Sequence, residues 1–290
     1  MVKPVFSTDH GTLYQGDCLA LMSEIEPESQ DLIFADPPFN LNKEYGTKVN
    51  DKLTDEEYLE WTYAWLDKAV ELLAPGGALW VYNLPKWNLS AGAYLMGKPE
   101  LLFRHQVAVS MKSGLPIANK LYPAHYSLLY FTKGKPRHFT KVRTPFELCR
   151  HCGGMIKDYG GHKNKMHPDG VSLTDVWTDL SPVRHKKSKY RLANALPEKM
   201  LERIITISTA EGDQVFDPFG GSGTTYAVAE RMHRNWTGIE LGDVEPIVYR
   251  LQGQRVDGIM PELGDGHEAR GERGKIPAPE YPKNAEPSLF

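Results

Sequence analysis

One short stretch limits the possible folds more than any other: the apolar run at residues 31–35, which stops at Asp36-Pro37-Pro38-Phe39. A near-continuous apolar run of this length is typical of a strand that is buried on both faces of a parallel sheet. Two prolines cannot continue a central strand, because each lacks a backbone N–H donor. The sequence therefore predicts a rigid loop at the carboxyl end of a buried strand.

About seven runs of strand character recur along the chain, near residues 13, 32, 79, 105, 128, 215 and 238. Helical segments separate most of these runs, and the clearest cover residues 54–74 and 195–209. Thr54 and Glu57 fit a capping box at the start of the first, and Pro75-Gly76-Gly77 is expected to end it. The alternation predicts an α/β fold with a doubly wound, mostly parallel sheet.

Three acids, Asp36, Asp217 and Glu240, fall at or just beyond the ends of predicted strands. Ligands bind to doubly wound sheets at the carboxyl ends of the strands. We therefore expect these three carboxylates to contribute to one composite site.

A glycine-rich turn follows the strand-like residues 214–216 and reads Phe216-Asp217-Pro218-Phe219-Gly220-Gly221-Ser222-Gly223-Thr224-Thr225. A helical pattern begins at Tyr226, and strand, turn and helix in this order expose backbone N–H groups to a ligand. The spacing fits neither the dinucleotide fingerprint nor the P-loop, and no lysine follows. The acid in the turn suits a cationic ligand better than a pyrophosphate. A tight turn without a ligand is the other interpretation.

The loop at Asp36 suits the alkylation of an exocyclic amino group on a nucleic acid base. Such a nitrogen is a poor nucleophile because its lone pair is delocalised into the ring. A carboxylate and a backbone carbonyl that accept its two hydrogens would favour a pyramidal nitrogen whose lone pair can attack. Phe39 can stack on an unstacked base. The alternative is a proline-stiffened turn with an aspartate cap.

Together these two motifs resemble those of the amino-group DNA methyltransferases that use S-adenosylmethionine. The catalytic motif of that family is Asp, Asn or Ser followed by Pro-Pro and an aromatic residue, matched here by residues 36–39. Its cofactor motif is a loop rich in phenylalanine and glycine, matched here by residues 216–225. The resemblance covers roughly residues 10–250 and implies a seven-stranded, Rossmann-like methyltransferase sheet. The catalytic motif comes first by about 180 residues, which is the circularly permuted order of the β subgroup.

The resemblance also implies roles for single residues. Asp217 and the loop at 219–224 would hold the methionine part of the cofactor, with Asp217 facing its ammonium group. Glu240 would bind the ribose hydroxyls, and Asp17 would lie near the adenine amino group, although a helix N-cap explains Asp17 nearly as well. Residues 194–200 would close the cofactor pocket from the side.

The implied substrate is adenine N6 in duplex DNA, because adenine-specific members favour Asp at the first motif position and N4-cytosine members favour Ser. Phe39 stands where tyrosine is commoner, but stacking needs only the ring. An N4-cytosine enzyme, a methyltransferase for RNA or protein glutamine, and a non-catalytic DNA-binding relative are the alternatives.

The motif order divides the chain into a catalytic half at 1–135, an inserted target-recognition region at 136–190 and a cofactor-binding half at 191–256. Residues 257–290 are rich in Gly, Pro and Glu, which predicts a mobile tail. The insertion is rich in cations, among them Arg137, Lys141 and Arg143. With a DNA substrate implied, we interpret these cations as a surface that contacts phosphates.

The insertion also contains Cys149, Cys152, His162 and His167. Their terminal spacings fit a zinc site, but the central gap is shorter than in the usual finger. Two reduced thiols and two surface histidines are the other interpretation, so a metal is left open.

Composition limits the class of protein. The 34 basic and 37 acidic residues nearly balance, which leaves room for a local basic surface only. Three cysteines cannot form a full disulfide framework, and there is no apolar run at the N-terminus, so a reducing cytoplasm is expected. No stretch approaches the roughly 18 apolar residues that span a bilayer. Homodimers are common in the resembled subgroup, but nothing in the sequence indicates one.

Overall fold

The computed structural model of the chain describes residues 3–41, 53–110, 119, 121–146, 148, 152–154, 161, 165, 167–180 and 195–253. The strands are β1 (Phe6–Ser7), β2 (Gly11–Gln15), β3 (Gln30–Ala35), β4 (Leu73–Asn83), β5 (Leu101–Ser110), β6 (His125–Lys133), β7 (Arg143–Thr144), β8 (Val171–Ser172), β9 (Val176–Trp177), β10 (Gln214–Asp217) and β11 (Asn235–Glu240). The helices are α1 (Cys18–Met22), α2 (Asp55–Leu72), α3 (Pro85–Met96), α4 (Glu198–Ser208), α5 (Thr224–Arg231) and α6 (Glu245–Leu251).

One sheet carries most of these strands, in the order β1-β2-β11-β10-β3-β4-β6-β5-β9. From β2 to β4 the neighbouring strands pair in parallel, and β6 runs antiparallel to both β4 and β5. Each of the seven predicted runs coincides with a strand of this sheet. The prediction of a doubly wound, mostly parallel α/β fold is confirmed.

Helices cover both faces of the sheet. On one face, residues of α4, α5 and α6 share a buried apolar cluster with Leu32 and Phe34. On the other face, residues of α1, α2 and α3 share a second cluster with Ile33 and Ala35. All four of these β3 side chains are fully buried. Burial on both faces explains why residues 32–35 of β3 are apolar without alternation.

The predicted capping box forms at the start of α2. The backbone N–H of Thr54 donates to Glu57 Oε2 over 2.8 Å, and the N–H of Glu57 donates back to Thr54 Oγ1 over 3.2 Å. The helix ends at Leu72, before the predicted stop at Pro75-Gly76-Gly77, which instead lies within β4. Gly76 has a φ of 80° there, which accommodates the irregular start of this strand.

Two helices were not predicted. Helix α3 includes Asn88, Ser90 and Gly92, which are weak helix formers, and it begins with Pro85, whose missing N–H is no loss at that position. Helix α6 has only seven residues. Helix α3 packs against β4, β5 and β6, and helix α6 packs against α5, and these contacts stabilise both helices.

Part of the inserted region lies within the described residues. Strands β7 and β8 form a separate two-stranded sheet, whereas β9 pairs with β5 and extends the main sheet. Trp177 on β9 is buried in the core. The boundaries of the insertion remain a prediction, and the predicted tail at 257–290 lies outside the described residues. No helix in the described part of the chain is long and apolar enough to cross a bilayer.

Candidate active site

The parallel strands bring four acids to one edge of the sheet. Asp17 follows β2, Glu240 ends β11, Asp217 ends β10 and Asp36 follows β3, and these four strands are neighbours in this order. The N–H of Gly16 donates to the backbone carbonyl of Glu240 over 3.0 Å, which joins the ends of β2 and β11. The three acids expected to share a site therefore lie on three adjacent strands.

Asp217 is buried at the start of the glycine-rich turn. Its Oδ1 accepts a hydrogen bond from the N–H of Phe219 over 2.9 Å, and its Oδ2 accepts one from the Thr225 hydroxyl over 2.5 Å. Burial raises the pKa of Asp217 to about 7, the charge on Glu240 adds to this rise, and the two hydrogen bonds oppose it. A cation placed at this carboxylate would relieve the cost of its buried charge.

The turn is held in one conformation by its glycines and its neighbours. Gly223 has a φ of 71° and precedes α5, and an added Cβ there would lie 2.8 Å from Ile247. The N–H of Gly220 donates to the carbonyl of Ile239 over 2.8 Å. The ring of Phe219 packs against Trp61 and Trp65 of α2, with ring centroids 5.7 and 5.3 Å apart.

Glu240 connects the turn to the next strand. Its Oε2 accepts a hydrogen bond from the N–H of Gly221 over 2.7 Å, and its Oε1 accepts one from the N–H of Gly242 over 2.7 Å. The residue is 8% exposed. The carboxylate thus lies against the glycine-rich turn, and its implied role toward a ribose stays a prediction.

Asp17 caps a helix. Its Oδ1 accepts a hydrogen bond from the N–H of Ala20 over 3.0 Å, at the start of α1. The capping interpretation of the sequence therefore describes its observed contact. Asp17 follows β2, the strand next to β11. Its proximity to the adenine of a bound cofactor stays a prediction.

Asp36 lies on the proline-stiffened loop after β3. Burial raises the pKa of its carboxyl well above the usual range, and the charge on Asp217 raises it further. The two acids stand at the carboxyl ends of the paired parallel strands β3 and β10, which explains why the charge on Asp217 acts on Asp36. Both loops therefore present an acid whose buried charge lacks full compensation, which is the environment that a cationic ligand would stabilise.

Two tyrosines that the sequence analysis missed form a ring cluster with Phe39. The ring of Phe39 lies 6.0 Å from that of Tyr82 and 5.8 Å from that of Tyr126, and the two tyrosine rings are 5.1 Å apart. The pKa of each tyrosine is raised by burial and then by the charge on Asp36. Tyr82 and Tyr126 stand near the ends of predicted strands, but only the antiparallel pairing of β4 and β6 brings them together.

Some of the described cations of the insertion make ion pairs or hydrogen bonds within the protein. Arg137 pairs with Asp31 and Asp213 at 2.7 and 2.8 Å, at the opposite edge of the sheet from the four acids. Arg143 donates to the carbonyl of Gly170 over 3.0 Å. Arg137 is therefore better explained as a structural contact than as part of a phosphate-binding surface.

The proposed metal ligands are only partly described. Cys149 and His162 lie outside the described residues, Cys152 is exposed, and His167 pairs with Asp169 at 3.4 Å. No group of three or more possible metal ligands occurs among the described side chains. The question of a metal therefore stays open.

Comparisons with known proteins show the family to which the chain belongs. A family model described as DNA methylase matches residues 30–245. The chain is 56% identical over 257 residues to type II methyltransferase M.BamHI of Bacillus amyloliquefaciens, covering 88% of this chain but only 60% of that protein. It is 31% identical over 256 residues to type II methyltransferase M2.DpnII of Streptococcus pneumoniae, covering 83% of this chain and 88% of that one.

Two solved structures share the fold. The PvuII DNA methyltransferase, described as cytosine-N4-specific, superimposes with a TM-score of 0.63 at 21% identity, covering 90% of this chain and 92% of that one. The complex of M1.HpyAVI with SAM has a TM-score of 0.52 at 17% identity, covering 83% of this chain and 99% of that one.

Proposed function

Since the chain belongs to the N6/N4 DNA methylase family, we propose that it transfers the methyl group of S-adenosylmethionine to an exocyclic amino nitrogen of a base in DNA. One observation carries this proposal: Asp36 directly follows β3 and Asp217 ends β10, and these neighbouring parallel strands pair at Val215–Leu32 and Phe216–Ile33. The loop that would present the methyl acceptor thus lies beside the loop that would hold the methyl donor.

The residues around Asp217 fit S-adenosylmethionine. Its carboxylate is buried and has a raised pKa, so the ammonium group of the cofactor would supply the missing positive charge. The turn at 219–224 would hold the rest of the methionine part, Glu240 would accept hydrogen bonds from the ribose, and Asp17 would lie near the adenine. When bound, the cofactor supplies an electrophilic sulfonium methyl group.

The loop at Asp36 would prepare the acceptor. The Asp36 carboxylate and a backbone carbonyl of the loop would accept the two amino hydrogens, which frees the nitrogen lone pair for in-line attack. The amino group then carries an extra proton, and Asp36, whose pKa burial raises, is suited to accept it. The rings of Phe39, Tyr82 and Tyr126 would enclose a base that has been flipped out of the duplex.

Two bases carry a suitable amino group. Asp36 favours N6 of adenine through the resemblance stated above, and this is our first candidate. N4 of cytosine is the second, because a cytosine-N4-specific enzyme has the same fold and because both amino groups lie next to a ring nitrogen. Methylation of RNA or of protein is a more distant alternative. The names of the relatives further suggest a role in a type II restriction-modification system.

The base is identified by its product. Purified protein is incubated with plasmid DNA and labelled S-adenosylmethionine, and the DNA is digested to nucleosides for mass spectrometry. We expect 6-methyladenine, whereas 4-methylcytosine would replace our first candidate by the second. Label in RNA or protein but not in DNA would overturn the proposed function. Single-molecule sequencing of the product DNA would then give the recognition site.

Proton linkage provides a test of cofactor binding. Because the pKa of Asp217 is about 7 and a cation binds the charged form, S-adenosylmethionine should bind more tightly as the pH rises from about 6 to 7.5. At pH 6.5 binding should release protons, which calorimetry in buffers of different ionisation enthalpy would measure. Binding without proton release would separate Asp217 from the ammonium group.

A further inference from the structure

Two consecutive carbonyls of the Asp36 loop are held by side chains from two different helices. The hydroxyl of Tyr58 on α2 donates to the carbonyl of Pro38 over 2.6 Å, and Nε1 of Trp87 on α3 donates to the carbonyl of Phe39 over 2.9 Å. Neither residue belongs to the sequence motifs or to the ring cluster around Phe39. Both contacts act on the backbone that carries the Asp36 carboxylate.

The Tyr58 hydroxyl is itself fixed in direction. It accepts a hydrogen bond from Nδ2 of Asn83 over 2.9 Å, and Oδ1 of Asn83 in turn accepts one from the N–H of Leu84 over 2.7 Å. Because the Asn83 amide donates to the hydroxyl, the hydroxyl proton is free to point at the carbonyl of Pro38. Tyr58 and Asn83 are each 2% exposed, so water does not compete for these bonds.

The two ring donors also support each other. The rings of Tyr58 and Trp87 lie 4.4 Å apart, and Trp87 is 4% exposed. The contact is buried and tilted, a geometry in which aromatic pairs contribute beyond their buried area. Tyr58 and Trp87 thus form one rigid unit behind the loop.

The rest of the loop has little remaining freedom. The proline rings fix φ at Pro37 and Pro38, and Asn40 adopts a φ of 53°, which non-glycine residues rarely do. Its side chain makes two hydrogen bonds with the backbone of Leu53, at 2.9 and 3.0 Å. With Tyr58 and Trp87, each of the four residues after Asp36 is constrained by its ring or by a hydrogen bond.

From this geometry we propose that Tyr58 and Trp87 are positioning residues for methyl transfer, which fix the Asp36 loop against the cofactor loop. The proposal rests on the proposed function. Neither side chain has to touch the substrate, because the effect passes through the carbonyls of Pro38 and Phe39. In-line transfer is sensitive to displacement of the acceptor, and a shift of about 1 Å can cost about a hundredfold in rate.

A purely structural role makes a different prediction. If the two bonds only stabilised the fold, their loss would lower the unfolding temperature and leave the turnover of the folded enzyme unchanged. If they position the loop, the turnover number falls while cofactor affinity is retained. The separation of turnover from cofactor affinity therefore distinguishes the two roles.

The test uses Tyr58→Phe, which removes the hydroxyl and keeps the ring. Single-turnover methyl transfer at saturating DNA and cofactor should slow by about 10- to 100-fold, whereas the Kd for S-adenosylmethionine should change by less than about threefold. Tyr94→Phe is the matched control, because the Tyr94 hydroxyl joins α3 to Asp67 of α2 at 2.8 Å, away from the Asp36 loop. This control should retain the wild-type rate.

Trp87→Phe removes the donor to the Phe39 carbonyl and should also slow methyl transfer while cofactor affinity is retained. It replaces Tyr58→Phe in the test if that variant does not fold. Rates within about twofold of the wild type in folded variants would overturn the proposal. So would a loss of cofactor affinity that matches the loss of rate. Wild-type protein that binds the cofactor but methylates no DNA would instead overturn the proposed function, and with it the inference that rests on it.

Discussion

Replacing Asp36 by alanine is expected to lower the rate of methyl transfer by about 10²- to 10³-fold while cofactor binding is retained. The carboxylate would accept an amino hydrogen of the base, and alanine offers no acceptor in its place. Loss of the Asp36 charge also removes a repulsion from Asp217, so the affinity for S-adenosylmethionine should stay the same or rise slightly. Single-turnover kinetics and calorimetry measure these two quantities.

The matched control for this prediction is Asp31→Asn. Asp31 lies at the start of the same strand, where it accepts the N–H of Gln214 over 2.9 Å and pairs with Arg137. Asparagine can keep the acceptor oxygen, and this end of the strand is far from the acids of the site, so activity should persist. If Asp36→Ala kept more than about a tenth of the rate, Asp36 would not have the role assigned to it.

The second large effect is expected for Asp217→Asn, which should weaken binding of S-adenosylmethionine by about a hundredfold, or about 2.7 kcal/mol. Asparagine cannot supply the charge that the ammonium group requires, and it offers one acceptor oxygen to the two donors Phe219 and Thr225. At saturating cofactor the transfer rate should fall much less than the affinity does. Calorimetry across cofactor concentrations and single-turnover rates at saturation separate the two.

The same variant makes a prediction about stability. The pKa of Asp217 is raised to about 7 by burial, so the folded state binds a proton more tightly than the unfolded state does. As the pH rises from about 4 to about 7, the wild type should therefore lose free energy of unfolding through this group. Asp217→Asn should not show this loss. Relative to the wild type, the free energy of unfolding of the variant should rise with pH across this range.

Asp213→Asn is the control for both measurements. Asp213 directly precedes the same strand, β10, and pairs with Arg137 at the opposite end. Cofactor affinity should be unchanged in this variant. If it fell as far as in Asp217→Asn, a general disturbance of β10 would explain both results, and the assignment of Asp217 to the ammonium group would fail.

The fold was largely predictable because each main strand has a recognisable local sequence pattern. Residues 32–35 are apolar without alternation because helices cover both faces of β3. The capping box at Thr54 and Glu57 forms as the sequence predicted. The errors occurred where propensity and packing disagree. Helix α3 carries Asn88, Ser90 and Gly92, yet it forms because its buried side packs against the sheet.

The candidate site was predictable only in part. Asp36, Asp217 and Glu240 each stand where an apolar run ends. Because parallel pairing places the strand ends side by side, the sequence was enough to predict that these acids share one end of the sheet. Tyr82 and Tyr126 carried no such signal, since they meet through an antiparallel pairing between residues more than 40 positions apart. The sequence also did not indicate that Arg137 pairs with Asp31 and Asp213, because these partners are distant along the chain.

The sequence by itself determined the class of sheet, because apolar strand-length runs alternate with helical patterns along the chain. It also determined the two loops and the residue types that suit an amino group and a cationic cofactor, because each loop is a short contiguous segment. Only the tertiary structure decided what surrounds the loops. The contacts of Tyr58 and Trp87 with the carbonyls of Pro38 and Phe39 join residues about 20 and 48 positions apart. Such contacts depend on how helices dock on the sheet, and no local pattern records that docking.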